Sequence, residues 1–485
     1  MSHHLSQLLK SDATLPKGGD MVVLGLTADS RAVKPGFIFA ALPGTKMEGA
    51  AYIPQAFAQG AGVVISQTGT YTGEGAVVES DNPRRLLALM AARFYDAQPD
   101  TIVAVTGTNG KTSVAVFVRQ IWAALGFRAA SLGTIGVVGP EGTMKLEHTT
   151  PDPVQLAQIV AKLSDDKIEH LAIEASSHGL SQYRLDGLRL TAGAFTNLTR
   201  DHLDYHATVE EYFAAKMRLF SEVLPAGAAA VINMDSPQGD EVLRIAQQSR
   251  LLPFTVGHAG TSLKLVSATR NGLGQQLKIQ TRTSVYDVAL PLVGEFQTSN
   301  ALVAAGLVIA AGGEESLTLH ALESLKGASG RLELVGVTHN GASVFVDYAH
   351  TPDALENAIS ALRPSVAGKL FVVFGCGGDR DKGKRPIMGE IASRLCDRVI
   401  VTDDNPRTEV ASIIRKEIMS AAHNATEIGD RAKAIATAVN ELMTGDVLLV
   451  AGKGHEEGQI VGKHVLSFSD HEAVLWALRG DIYHG

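Results

Sequence analysis

Cysteine is nearly absent: Cys376 and Cys396 are the only two among 485 residues. Two thiols cannot make a disulfide framework or an all-cysteine zinc site, so neither explains the fold. A basic block is also missing. The formal net charge is −8, which argues against nucleic acid as the main partner but leaves room for local basic pockets that take anionic substrates. The opening residues, Met1-Ser2-His3-His4-Leu5, show no basic stretch followed by an apolar core, so no signal peptide is expected. The apolar stretch from Ala301 to Ala311 is too short to span a bilayer and contains Gly306. No internal repeat or low-complexity tract is evident. The resulting expectation is a cytoplasmic globular protein without membrane insertion, taken as a monomer.

The chain is too long for one core and suggests three domains at ~150 residues each. Short apolar segments bounded by turns alternate with helical patterns, which reads as α/β architecture. The expected division is a small N-terminal α/β domain over 1–87, a central doubly wound, mostly parallel sheet over 88–328, and a second doubly wound sheet over 329–485. Ligands of such sheets collect at the carboxyl ends of strands.

At one such end lies Thr106-Gly107-Thr108-Asn109-Gly110-Lys111-Thr112-Ser113, after a β-branched run and before a helical pattern. Glycines let backbone N–H groups approach an anion, the helix N-terminus faces it, Lys111 neutralises phosphate charge and the Thr112 hydroxyl can hold Mg²⁺. The spacing is tighter than the common phosphate loop: Val105 stands where that pattern has a glycine or small residue. Binding of a nucleoside triphosphate is the reading.

Four further segments carry chemistry. Glu174 ends a strand beside Ser176 and Ser177, and the stretch Thr196–His206 holds two Asp and two His with its Asn and Arg. Zinc is one reading of that stretch. Mg²⁺ beside phosphates, with Glu174 as an oxygen ligand, is the other, and hard oxygen donors suit it better. Thr208 and Glu211 fit a capping box. Lys216 lies among apolar residues of a helix from Glu210 to Phe220. It reads either as a lysine snorkelling to water or as a buried amine able to take up CO₂. The glycine-rich basic loop Gly375–Arg385 follows a third strand. In Asp403-Asp404-Asn405-Pro406-Arg407, Asn405 is expected to cap a helix, with Pro406 first and Arg407 in its first turn, forming a carboxylate receptor. Glu456, in Gly452-Lys453-Gly454-His455-Glu456, is able to bind an ammonium.

Together these segments resemble the Mur ligase family along nearly the whole chain. The matching stretches are T-G-T-N-G-K-T-S, H-T-T-P, E-A-S-S-H-G-L, N-L-T-R-D-H-L-D-Y-H, Y-F-A-A-K, S-G-R-L-E, D-Y-A-H-T-P, G-C-G-G-D-R-D-K-G-K-R, D-N-P-R and G-K-G-H-E. The resemblance implies an N-terminal UDP-substrate-binding domain, a central ATPase domain and a C-terminal Rossmann-like domain that brings an amino acid. It implies an ATP-dependent ligase, with meso-diaminopimelate added to UDP-MurNAc-L-Ala-D-Glu through an acyl phosphate. By motif, Gly107, Thr108, Asn109, Gly110, Lys111, Thr112 and Ser113 would hold ATP, with Asn300, Arg331 and Asp347 on its nucleoside and phosphate sides. Thr112, Glu174, His202 and Lys216 as a carbamate would hold Mg²⁺, and Lys111, Glu174, His202 and Lys216 would be the catalytic set. Ser30, Thr45 and Lys46 would lie near the UDP end. Thr149, Thr150, Ser176, Gln182 and Arg184 would contact the muramoyl-dipeptide, His148 standing where the family often has Asn. Arg380, Asp404, Asn405, Arg407, Gly452 and Glu456 would receive diaminopimelate.

Arg407 offers a match for the second carboxylate that distinguishes diaminopimelate from lysine. A lysine-adding ligase, a folylpolyglutamate synthase-like ligase and a nucleotide-regulated binding protein without turnover are the alternatives. The D-N-P-R segment and the N-terminal extension weigh against the synthase, and the intact Lys111, Glu174, His202 and Lys216 weigh against the binding protein.

Overall fold

The computed structural model describes residues 2–44, 48–146, 148–199, 205–481 and Tyr483. The chain forms two compact units. One comprises Met1–Val266, Ile279–Tyr286 and Ser299–Ala321; the other comprises Ser267–Lys278, Asp287–Thr298 and Leu322–Gly485.

The first unit starts with a four-stranded parallel sheet in the order Gly25–Thr27, Phe37–Ala40, Val63–Gln67, Val77–Ser80. Helix Pro83–Tyr95 covers it. Asn82 caps this helix, accepting from Arg85 N at 3.0 Å, and proline takes the first helical position, where no intrahelical donor is lost. Its Leu86, Leu87, Met90, Ala91 and Phe94 pack with Ile38, Ala40, Val63 and Ile65, and with Val154 and Ala157 of helix Pro153–Asp165.

The larger sheet of this unit runs Ala129–Gly133, His170–Glu174, Thr101–Thr106, Leu190–Phe195, Ala229–Asn233, Leu252–Gly257, all parallel. An antiparallel edge, Gly136–Gly139 and Gly142–Met144, follows Ala129–Gly133. The strands are buried on both faces, which explains their near-continuous apolar runs. From Thr101–Thr106 the chain first moves to one side and then, at Leu190–Phe195, to the other. The switch point therefore falls between the ends of these two strands, the place where sheets of this kind bind ligands.

Helix Val209–Arg218 differs from the expected single helix to Phe220. It gives way to a wider π turn, Leu219–Val223, closed by Leu224 N to Leu219 O at 3.0 Å. The turn lowers Leu219 and Leu224 onto Gly193, where a side chain would leave no room.

The second unit has the order Glu333–Val337, Ser343–Asp347, Val447–Ala451, Leu370–Phe374, Arg398–Val401, Ala425–Glu427, with only the first pair antiparallel. Alternation sends Leu370, Val372 and Phe374 to a core shared with Leu355, Ile359 and Met388. It sends Phe371 and Val373 to another shared with Ile435, Val439 and Val474. Helices thus cover both faces. No helix among the described residues is long and apolar enough to cross a membrane.

Candidate active site

The phosphate loop leaves strand Thr101–Thr106 and enters helix Lys111–Ala124. Gly107 and Gly110 have φ of +147° and +86°. A Cβ at Gly107 would stand 1.9 Å from Thr196 Oγ1, and one at Gly110 would stand 2.2 Å from Asn300 Oδ1. Backbone conformation and close approach therefore both demand glycine here. The neighbouring strand end braces the loop: Thr108 N donates to Asn197 O (2.8 Å), Asn109 N to Asn197 Oδ1 (3.0 Å), and Thr196 Oγ1 to Asn109 O (2.6 Å).

Two ammonium groups meet the loop at one carbonyl. Lys111 Nζ donates to Gly107 O (2.9 Å) and Thr108 O (2.7 Å), and Lys216 Nζ donates to Gly107 O (2.7 Å). Lys216 is 1% exposed and lies over the Tyr212 ring, 4.1 Å from its centroid. It is not a snorkelling lysine. Tyr212 OH in turn donates to Thr108 Oγ1 at 3.2 Å. Thr208 caps the helix that carries Lys216, accepting from Glu211 N at 3.1 Å.

Glu174, 2% exposed, ends the adjacent strand. Its carboxylate accepts from Thr112 Oγ1 (3.1 Å), Thr134 N (2.8 Å) and Thr134 Oγ1 (3.2 Å). Thr112 Oγ1 and Glu174 Oε2 form an all-oxygen donor pair beside the loop, which suits a hard divalent cation. His202 lies outside the described residues, as do Asp201, Asp204, Thr45 and Lys46. Among the described residues, no group of three or more His, Cys, Asp or Glu gathers as a metal cluster.

A second cluster adjoins Glu174. Thr149 Oγ1 lies 3.2 Å from Thr134 Oγ1. Thr150 Oγ1 donates to Glu174 O (2.9 Å) and lies 3.0 Å from Ser176 Oγ. Arg184 donates from Nη1 to Thr150 O and from Nη2 to Gln182 Oε1 (2.8 Å), and Gln182 Nε2 donates to Tyr205 OH (3.1 Å). The structure thus brings Thr149, Thr150, Ser176, Gln182 and Arg184 together. His148 is exposed beside them. Ser30 sits apart from them in sequence, in a short turn after strand Gly25–Thr27 that Asp29 caps. Asn300 packs on Gly110 from helix Glu295–Ala310.

In the second unit, Asp347 ends strand Ser343–Asp347 and accepts from Leu332 N and Ala349 N, both at 2.7 Å. Burial pushes its carboxyl pKa up, while Arg331 and the two N–H groups oppose that shift. The Arg331 guanidinium lies 5.0 Å from the Tyr348 ring centroid.

The expected helix at Asn405-Pro406-Arg407 does not form; the next helix is Ala411–Met419. Arg407 adopts φ +52° and pairs in parallel with Val461 of the hairpin Gly458–Val461/His464–Ser467. Arg407 N donates to Ile460 O (3.0 Å) and Gly462 N to Arg407 O (2.7 Å). The Asn405 side chain does not cap either: Oδ1 accepts from Ile460 N (2.9 Å) and Lys453 Nζ (3.0 Å), and Nδ2 donates to Glu456 Oε2 (2.9 Å). The hairpin takes the backbone groups that a helix would have used.

Asp404, Asn405, Arg407, Gly452 and Glu456 nevertheless share one locality. A Cβ at Gly452 would lie 2.6 Å from Asp404 Oδ2. Arg407 Nη1 donates to Gly378 O (2.9 Å), and Asp379 accepts from Thr408 N (3.1 Å) and Oγ1 (2.6 Å), tying the glycine-rich loop to this segment. Arg380 is exposed on that loop. Beneath lies a fully buried ion pair, Arg431 Nε to Asp470 Oδ1 at 2.6 Å, with Arg431 also donating to Ala451 O (2.9 Å).

Sequence reasoning missed Thr134, Tyr205, Lys453 and the Arg431–Asp470 pair. Thr134 follows a strand of small residues, Ala129–Gly133, whose pattern is weak. Lys453 stood within a recognised segment, between two glycines, and that setting was its one available signal.

The chain matches three family models: Mur ligase family, catalytic domain, over 22–95; Mur ligase middle domain over 105–308; and Mur ligase, glutamate ligase domain, over 330–454. It is 55% identical over 477 residues to the UDP-N-acetylmuramoyl-L-alanyl-D-glutamate--2,6-diaminopimelate ligase of Rhizobium meliloti (strain 1021), covering 98% of this chain and 97% of the relative. The ligase of the same name from Caulobacter vibrioides (strain ATCC 19089 / CIP 103742 / CB 15) is 50% identical, with 99% of each chain covered. A solved structure of a ligase of that name superposes with a TM-score of 0.75 at 32% identity, covering 99% of both chains. Mycobacterium tuberculosis folylpolyglutamate synthase complexed with ADP, at 18% identity and TM-score 0.61 over 77% of this chain and 92% of that one, shares the fold.

Proposed function

This chain belongs to the Mur ligase family, and we propose from that premise that it uses ATP to join meso-diaminopimelate to UDP-MurNAc-L-Ala-D-Glu in the cytoplasm, a step of peptidoglycan precursor synthesis. The D-Glu γ-carboxylate oxygen attacks the γ-phosphorus of ATP, and the bond to the ADP oxygen breaks. The amine of diaminopimelate then attacks the acyl carbon and loses a proton. The tetrahedral intermediate expels phosphate and leaves an amide.

The observation that carries this reading is the hydrogen-bonded run at the carboxyl ends of the larger sheet's strands. It leads from Thr112 through Glu174 and Thr134 to Thr149, and from Glu174 O through Thr150 to Ser176 and Arg184. A triphosphate on the loop and a carboxylate near Arg184 would sit side by side, the arrangement an in-line phosphoryl transfer needs. Lys111 and the loop N–H groups hold the phosphates. Thr112 and Glu174 would hold Mg²⁺, which supplies charge neutralisation on the phosphate oxygens. A carbamate on Lys216 would turn a buried cation into an anion at the Gly107 carbonyl. Asn300, Arg331 and Asp347 complete the nucleotide contacts, and Ser30 serves the UDP end. Arg380, Asp404, Asn405, Arg407, Gly452 and Glu456 receive diaminopimelate, with Arg407 on its distal carboxylate. The family-model spans fit a division into UDP-binding, ATPase and amino-acid-binding domains with the second boundary near 328, but the first falls after residue 95 rather than at 87, which lies within helix Pro83–Tyr95.

The test is phosphate release and product mass with UDP-MurNAc-L-Ala-D-Glu, ATP and a panel of amino acids. Turnover with diaminopimelate and little with lysine is expected. Ready use of lysine or glutamate in its place would overturn the assignment.

A further inference from the structure

One group in the second unit is more deeply buried than the side chains it serves. Lys453 is 0% exposed, and its neighbours Gly452 and Gly454 have φ of +119° and +54°. Its Nζ donates to Asn405 Oδ1 at 3.0 Å and to Glu456 Oε2 at 3.3 Å. Asn405 Nδ2 donates to the same oxygen, Glu456 Oε2, at 2.9 Å. The three side chains therefore close a triangle, and both donors land on one carboxylate oxygen. The Glu456 side chain is one-third exposed, and both of these donors use Oε2 rather than Oε1. Burying an ammonium is costly unless it is paired and hydrogen-bonded, and here both partners belong to the segments already read as the amino-acid receptor.

We propose that Lys453 is a positioning residue for the amino-acid substrate: its buried ammonium locks Asn405 and Glu456 together so that Glu456 presents one oxygen to an incoming ammonium group. Lys453 itself touches no substrate. The inference rests on the ligase reading above and deepens it, assigning to the G-K-G-H-E lysine a role that Arg407 and Glu456 alone do not cover. A carboxylate that swings freely must be ordered when the amine binds, and that entropy weakens binding. A carboxylate held by two donors is ordered beforehand.

The experiment compares wild type with Lys453→Met, Glu456→Gln and the double variant in the full chain, measuring KM for each substrate, kcat and thermal melting. Lys453→Met should raise KM for diaminopimelate at least about tenfold while leaving KM for ATP and for the UDP-dipeptide within about twofold, the loss of one charge-assisted hydrogen bond. Because Lys453 acts through Glu456, adding Lys453→Met to Glu456→Gln should change KM by less than about threefold. Should Lys453→Met fail to fold, Lys453→Gln carries the same test, since it keeps a donor toward Asn405 and buries no charge. An unchanged KM for diaminopimelate in a folded variant would overturn the inference. So would an equal rise for all three substrates, which marks general structural damage, or penalties that multiply in the double variant. Failure of the wild type to ligate any amino acid would instead sink the ligase reading, so the two failures are distinguishable.

Discussion

The phosphate loop and the Asp404–Arg407 segment both follow strands of parallel sheets, and both place the backbone in the left-handed region. The difference lies in which residue occupies that region. In the loop the positions are Gly107 and Gly110, which adopt it without strain. In the receptor the position is Arg407, at φ +52°, where an L side chain costs about 1–2 kcal/mol. The loop conformation is thus written locally. The receptor conformation is imposed from some fifty residues onward by the hairpin Gly458–Val461/His464–Ser467, whose bonds from Ile460 O and Gly462 N offset the strain. In this left-handed conformation the Arg407 guanidinium donates to Gly378 O.

Four experiments break or sharpen this contrast, beginning with the largest effect. Lys216→Ala should abolish turnover, by a factor of about 10³ or more, while nucleotide affinity stays within a few-fold. Normal turnover in that variant would remove Lys216 and its carbamate from the chemistry. Arg407→Lys should lower kcat/KM for diaminopimelate on the order of a hundredfold, because a point charge cannot replace the planar fork, and should spare ATP binding. Gly110→Ala should destabilise the fold by about 2 kcal/mol, read as a lower melting temperature, because it meets both φ +86° and Asn300 Oδ1.

The smallest effect is a pH dependence. His455, beside Tyr348 with ring centroids 5.3 Å apart, has its pKa lowered from 6.5 to about 4, by burial first and then by Arg331 and His471. Between these values the unfolded chain takes up a proton that the folded chain refuses, so stability falls as pH falls through that window. His455→Gln should remove on the order of 1 kcal/mol of this loss, seen as a flatter melting-temperature profile from pH 6.5 down to 4.

The same contrast explains what was legible. Apolar strands such as Leu370–Phe374 and Val447–Ala451, and the capped helix Pro83–Tyr95, declare themselves through short-range pattern. So does the loop from Thr106 to Thr112, whose glycines announce their own backbone. Asn405-Pro406-Arg407 carries equally good local signals for a helix, and they lose to the Ile460 N and Lys453 Nζ that claim Asn405 Oδ1. Strand Ala129–Gly133 is built mostly from small residues and gains its place from one parallel neighbour, His170–Glu174, and an antiparallel one, Gly136–Gly139, rather than from propensity. Thr134, which links Glu174 to Thr149, was hidden with it. Lys216 was recognisable as unusual, but only its burial over Tyr212 and its bond to Gly107 O place it at the loop.

The most direct test of the account follows an atom. UDP-MurNAc-L-Ala-D-Glu with heavy oxygen in the γ-carboxylate is turned over with ATP and diaminopimelate, and the released phosphate is weighed by mass spectrometry. Transfer of a single heavy oxygen to each phosphate is expected, because the carboxylate attacks phosphorus and the acyl–oxygen bond later breaks. Phosphate released without label, at the same rate as product, would contradict activation of the carboxylate by ATP.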